Sequence, residues 1–148
     1  MSKWSSTTKE VFKISAESAE ASVRELIDFY RVDVDDIEDD TQKAGLEMAL
    51  NRLQKAYRRG ELENKRSTEG FHVIQKLVAP PGEVKEIEYA ELYGALKLQM
   101  DGLDPKAPTA RQHALLGALS GLGPTAIGAL NAVDLSTAEC LAYVFFMA

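Results

Sequence analysis

Two short stretches with the alternating pattern of β-strands lie within a chain whose other apolar residues mostly follow helical spacing. Residues 71–78 and 84–89 flank a Pro-Pro-Gly sequence at residues 80–82. A turn of this kind between two alternating runs predicts an antiparallel β-hairpin. An isolated hairpin is only marginally stable in water. The hairpin must therefore pack on helices or pair with another strand edge, and this requirement constrains the whole fold.

Each predicted strand has one face that can be buried. On the second strand, Ile87 and Tyr89 alternate with Glu86 and Glu88, so the two carboxylates are expected to face water rather than to form a catalytic pair. The predicted inward residues of the first strand are Phe71, Val73, Gln75 and Leu77.

Two amphipathic helices are predicted before the hairpin. Ser15 is a suitable N-cap for the first helix. The second should run from about Thr41 to Arg59, and Gly60 can adopt the left-handed conformation that commonly ends a helix. The expected inward residues are Val23, Leu26, Ile27 and Tyr30 in the first helix and Leu46, Ala49, Leu50, Leu53 and Tyr57 in the second. Packed together, they predict a helical hairpin.

Charge and composition indicate the roles of the segments before, between and after these helices. Residues 33–40 are densely acidic but lack the turn glycine of an EF-hand, so they are expected to lie in solvent and to cap the second helix. Residues 1–14 are predicted to be either a brief strand or a docking arm. The polar residues 61–70 are predicted to connect two domains, 1–60 and 61–148.

Helical spacing returns at Ala90 and predicts a cluster of short helices. The first of these has an apolar stripe of Leu92, Tyr93, Leu96 and Met100. Further helices are expected after Thr109, as a cap, and at Pro124, which stands at the favoured first helical position. The last helix should begin at Ser136, with Glu139 completing a capping box. The predicted fold class is therefore α+β and mainly α-helical, with an N-terminal helical hairpin, one β-hairpin and a C-terminal cluster of short helices.

The glycine-rich segment 117–123 has a structural rather than a phosphate-binding interpretation. It lacks both the Gly-Lys-Ser/Thr ending of a P-loop and a preceding strand. Gly117 and Gly121 are four residues apart, so they lie on one helix face. They predict that another helix approaches closely at that face.

The titratable residues predict no catalytic, metal or cofactor site. His72 is predicted in a strand and His113 in a helix, and neither has a cysteine, histidine or carboxylate at metal-ligand spacing. Cys140 lies beside apolar residues, which is typical of an inert buried thiol. The single cysteine excludes an intrachain disulfide, and a soluble intracellular protein is expected.

The chain ends in an apolar run, residues 140–148, that is far too short to cross a bilayer. This run follows a well-specified helix start but contains no C-cap, so it is expected to be either core or interface. Interface residues would lie here and on the helix that follows Thr109. The candidate partner-binding residues are Tyr143, Val144, Phe145, Phe146, Leu116 and Leu119.

Four stretches in the second half of the chain together resemble the tail assembly chaperones of tailed bacteriophages. They are the hairpin with its Gly-Glu turn at residues 81–89, the helix entered through residues 90–92, the run 114–122, and the closing segment 133–139. The resemblance implies a non-enzymatic protein of the host cytoplasm that binds the tape-measure protein and recruits tail-tube protein. Members of that family often have a longer, frameshifted product, and self-association is a further possibility for the chain.

Two other functions remain open. One is a small structural virion protein of the phage tail, neck or baseplate, which would also act through protein contacts. The other is a DNA-binding regulator, because residues 110–133 read as a helix, a glycine-rich turn and a helix. The formal net charge of −6 opposes nucleic-acid binding, which usually needs a basic face. The segment 104–148 contains Lys106 and Arg111 as its only lysine or arginine residues.

Overall fold

The computed structural model describes residues 12–103 and 106–148. Its helices are α1 (Ala16–Phe29), α2 (Asp40–Arg58), α3 (Gly94–Asp101), α4 (Pro108–Ser120), α5 (Pro124–Gly128) and α6 (Ala132–Met147). Its strands β1 (Leu62–Ser67), β2 (Gly70–Lys76) and β3 (Glu86–Tyr89) form one antiparallel sheet in the order β1-β2-β3. The predicted α+β, mainly α-helical class is confirmed.

Local capping chemistry places the two N-terminal helices as predicted. Ser15 Oγ accepts a hydrogen bond from Ser18 N at 3.1 Å, which caps α1. Asp39, at the end of the acidic run, accepts one from Gln42 N at 2.9 Å and caps α2. Gly60 follows α2 with a φ of 75°, the predicted left-handed conformation. The residues that these helices bury are Ala19, Val23, Leu26, Leu46, Ala49, Leu53, Ala56 and Tyr57.

The described part of the predicted N-terminal arm docks on the end of α2. The Arg58 guanidinium carbon lies 3.9 Å from the centroid of the Phe12 ring. The Ile14 backbone N–H donates to the carbonyl of Arg58 at 2.9 Å. Residues 12–14 form no strand. The rest of the arm, with Trp4 and Val11, lies outside the described residues.

The prediction that a polar connection follows Gly60 is wrong, because part of this segment forms the strand β1. Residues of β1 pair with β2 in the register Leu62↔Gln75 to Ser67↔Gly70. Leu62 is buried, and the next inward residue, Asn64, is held by hydrogen bonds instead of apolar contact. Its Oδ1 accepts from Tyr57 Oη at 2.5 Å and its Nδ2 donates to the carbonyl of Ser22 at 2.9 Å. Side-chain hydrogen bonds thus allow a polar strand to cover the helical hairpin.

The predicted hairpin corresponds to β2 and β3, and its two faces lie as expected. Five inward residues are buried, namely Phe71, Val73, Gln75, Ile87 and Tyr89. Glu86 and Glu88 are exposed, and Leu77 is half-buried just beyond the end of β2. The sheet therefore presents one face to the core.

Three predicted helix starts differ from the structure. The helix expected from Ala90 begins only at Gly94. Conversely, α6 begins at Ala132 rather than at Ser136, because Asn131 Oδ1 accepts from Val133 N at 3.0 Å and supplies the cap one turn earlier. Ser136 and Glu139 lie inside α6 and do not form the predicted capping box. Thr109 likewise lies inside α4, whereas Pro124 begins α5 as predicted.

One contiguous cluster of buried residues joins the two predicted domains. It contains residues of α1 and α2 together with residues of the sheet and of α4 and α6. Helix α6 packs against both α2 and α4. The boundary predicted at residue 60 therefore does not separate two hydrophobic cores among the described residues. Within residues 12–103 and 106–148, no helix combines the length and apolar character needed to cross a membrane.

The predicted close approach occurs at Gly117 and involves the start of α5. A Cβ atom on Gly117 would lie 2.4 Å from the carbonyl carbon of Gly123 and 2.5 Å from Pro124 N. The Gly123 N–H also donates to the Gly117 carbonyl at 3.2 Å. At Gly121 a Cβ atom would meet nothing within 4 Å, so only one of the two predicted glycines has this role.

Candidate functional site

Most of α6, the predicted contact element, lies in the core. Val144 and Phe145 are buried, as are Leu116 and Leu119 of α4. The Phe145 ring packs edge-on against the ring of Tyr30, with 5.5 Å between centroids. Because α6 lies against α2 and α4, these four side chains are not available to a partner on the folded surface. The partner-binding prediction is thereby reduced to the two half-buried aromatic residues of α6.

Tyr143 and Phe146 are those two residues, and each is anchored to a neighbouring helix. The Tyr143 hydroxyl donates to the carbonyl of Gln42 at 3.2 Å, and its ring lies against Gly45 of α2. The Phe146 ring lies 5.0 Å from the guanidinium carbon of Arg111 on α4. Both side chains remain partly accessible, so they can contribute to a contact surface without leaving the core.

A shallow groove borders Tyr143 between α2, α4 and α6. It has a volume of about 350 Å³, and its lining includes Met48, Arg52 and Cys140. Met48 is 71% exposed. Burial raises the pKa of the Cys140 thiol above its ordinary value, and the nearby Arg52 only partly offsets this effect. The neutral thiol is therefore the favoured form, which is poor chemistry for a nucleophile.

Helix α3 and the residues beside it leave several apolar side chains exposed. Of its residues only Met100 is buried, while Leu98 is 73% exposed. Tyr93, directly before the helix, is 59% exposed, and Leu103, shortly after it, is 36% exposed. Sequence spacing predicted an inward stripe of Leu92, Tyr93, Leu96 and Met100, and the structure buries only the last of these fully. The sequence therefore did not reveal that this segment presents apolar side chains to solvent.

The hairpin is joined to α6 by a buried polar network that the sequence did not reveal. The Asp134 carboxylate accepts hydrogen bonds from Val78 N at 2.8 Å and from Ala79 N at 3.0 Å. Gln75 Nε2 donates to the Asp134 carbonyl at 2.8 Å, and the Tyr89 hydroxyl donates to Gln75 Oε1 at 2.7 Å. These bonds pair the polar groups that the fold buries and attach the β2–β3 loop to the start of α6.

The sequence shows no carboxylate at metal-ligand spacing from His72, but the fold brings one beside it. Antiparallel pairing places β3 beside β2, and His72 Nδ1 lies 2.7 Å from Glu88 Oε2. Glu69, in the turn before β2, lies in the same group. The hydrogen bond with His72 holds the pKa of the Glu88 carboxyl below its ordinary value. Glu69 and Glu88 are three and sixteen residues from His72 along the chain. Sequence spacing could not show that the three side chains meet, because the strand register brings them together.

Comparison of the chain with protein-family models, curated proteins and solved structures finds no significant match.

Proposed function

We propose that this chain is a non-enzymatic tail assembly chaperone of a tailed bacteriophage or prophage. It would act in the host cytoplasm by binding the tape-measure protein and recruiting tail-tube protein. The proposal starts from the resemblance of the second half of the chain to that family. The exposed apolar side chains around α3 supply the physical support for it.

Helix α3 carries this proposal because its apolar side chains are poorly covered by its own fold. Leu98 is 73% exposed and Tyr93 is 59% exposed, whereas the neighbouring helices α4 and α6 bury several residues each. Exposed apolar residues near one element are typical of a protein-binding surface. An extended helical partner can supply the matching apolar stripe, as in helix-in-groove recognition.

The negative charge suits a protein that must keep such a surface soluble. The formal net charge is −6 at pH 7, and every acidic residue at 33–40 is exposed. Like charges on neighbouring copies repel one another and oppose non-productive association. Phe146 and Tyr143, at the end of α6, are the further residues that we assign to the contact surface.

Co-expression with the tape-measure and tail-tube proteins of a tailed phage tests the proposal. We expect the wild-type chain to retain the tape-measure protein during purification and Leu98→Glu to lose most of that retention. Val133→Glu is the matched control, because Val133 is also exposed, at 58%, but lies at the start of α6. Retention of neither partner by a folded wild-type chain would refute the proposal.

Purified mature particles distinguish this function from that of a virion component. A chaperone leaves the tail when assembly is complete, so we expect the chain to be absent from particles. A fixed copy number in the particles would instead support a structural protein of the tail, neck or baseplate.

A further inference from the structure

The sheet brings together three side chains that carry metal-binding atoms. Glu69, His72 and Glu88 each offer one such atom, and all three atoms lie within 4.8 Å of one another. Within the described ranges 12–103 and 106–148, this is the one group of three histidine, cysteine or carboxylate side chains with that proximity. The three residues come from the β1–β2 turn, from β2 and from β3, so folding is required to assemble them.

The backbone holds these residues in defined positions. Val73 pairs with Tyr89 and Ile74 pairs with Glu88, which sets β3 beside His72. In the tight turn, the Glu69 N–H donates to Ser67 Oγ at 3.1 Å. The His72 side chain is only 11% exposed, whereas the carboxylate of Glu88 is accessible at the rim. A nearly buried imidazole flanked by accessible carboxylates is a preorganised arrangement that needs only side-chain rotation to close on an ion.

We propose that Glu69, His72 and Glu88 bind a divalent first-row transition-metal ion of the zinc class. One imidazole nitrogen and carboxylate oxygens are ligands that zinc accepts, at about 2.0–2.2 Å. Three protein ligands leave a further position for water. The ion would replace the hydrogen bond between His72 Nδ1 and Glu88 Oε2, since both atoms would then direct their lone pairs at the metal.

Lys65 is the group that competes with the ion. Its Nζ lies 3.5 Å from Glu88 Oε1, and its side chain is 50% exposed. A lysine ammonium at this place lowers the local negative potential and so weakens cation binding. Because the side chain is long and half in solvent, it can move away when the ion enters. Removing its charge should therefore strengthen binding, which is the opposite of the effect of removing a ligand.

Calorimetric titration of zinc into the full chain, after treatment with a chelator, tests this site. We expect saturable binding of one ion to the wild-type chain, and loss of that binding in His72→Gln. Glu69→Gln changes an exposed turn residue, so it should fold normally and weaken binding by roughly tenfold or more. Lys65→Gln should tighten binding.

Two control variants use the rest of the chain. His113→Gln removes the only other histidine, and Glu86→Gln removes an exposed carboxylate of β3 that lies outside the group. Both should bind zinc like the wild-type chain. The site is refuted if the wild type shows no saturable binding, if binding survives His72→Gln, or if Glu69→Gln and Glu86→Gln weaken it equally. Cobalt(II) absorption, lost with His72→Gln and kept with His113→Gln, is an independent readout of the same coordination.

Discussion

The substitution Gly117→Ala should destabilise the protein, although glycine-to-alanine changes inside helices usually stabilise. The added Cβ would lie 2.4 Å from the Gly123 carbonyl carbon, 2.5 Å from Pro124 N and 2.8 Å from the Gly123 carbonyl oxygen. All three atoms belong to backbone at the start of α5. That backbone must move by about 1 Å to reach an ordinary van der Waals separation.

The expected free-energy change follows from three effects. Forcing α4 and α5 apart is overpacking, which costs about 1–3 kcal/mol. The movement also weakens the hydrogen bond from Gly123 N to the Gly117 carbonyl, which contributes about 1 kcal/mol. The gain in helix propensity offsets about 1 kcal/mol. We therefore expect a net loss of about 1–3 kcal/mol in the free energy of unfolding, or a melting temperature lower by several degrees.

Gly45→Ala is the matched control, because its Cβ would also lie 2.4 Å from a neighbouring atom. That atom is the hydroxyl oxygen of Tyr143, the far end of a side chain that can rotate towards solvent. Urea unfolding followed by circular dichroism should show Gly45→Ala within about 1 kcal/mol of the wild type or more stable. Our reasoning is refuted if Gly117→Ala is as stable as the wild type, or if the two variants lose equal stability.

Three further perturbations test the polar groups of the core. Asp134→Ala removes the carboxylate acceptor of the Val78 and Ala79 N–H groups, and urea unfolding should show a loss of about 2–3 kcal/mol; a loss within experimental error would contradict the assigned role. Burial raises the pKa of Tyr57, so this tyrosine ionises in the unfolded state first, near pH 10, and the stability of the wild type falls as pH rises further. The loss of unfolding free energy caused by Tyr57→Phe should therefore shrink above about pH 10. A loss that does not change with pH would disprove this. Burial also raises the pKa of Glu61, so its contribution to stability is present at low pH and is lost as pH rises through the folded-state pKa. The melting temperature of Glu61→Gln relative to wild type should therefore be higher at about pH 7 than at about pH 4. An equal difference in melting temperature at both pH values would contradict this.

The predictions that the structure confirms rest on local chemistry. Ser15 caps α1 and Gly60 ends α2 because both effects depend on a few neighbouring backbone groups. The alternation of Ile87 and Tyr89 with Glu86 and Glu88 likewise places one face of β3 in the core. Such signals lie within a few residues of one another, so they can be recognised along the chain.

The failed prediction at β1 depended on partners distant in sequence, whereas the failed start of α6 also involved a competing local cap. The sequence of β1 is typical of a polar connection. It forms a strand because Asn64 makes hydrogen bonds with Tyr57 and Ser22 of the helical hairpin. The start of α6 shifted by one turn because Asn131 competes with Ser136 as a cap, and packing of Asp134 against the β2–β3 loop favours the earlier start. Capping propensity alone does not rank two acceptable caps.

The candidate contact surface on α6 was likewise predicted only in part from the sequence. The sequence by itself determined that the apolar run 140–148 must be core or interface. Only the tertiary structure decided that Val144 and Phe145 face inward while Tyr143 and Phe146 remain partly accessible, because the positions of α2 and α4 around α6 select the buried face. The meeting of His72 with Glu88 was equally a matter of strand register. Hydrophobic periodicity determines which segments must be covered, whereas the packing of distant elements determines what covers them and which polar groups meet.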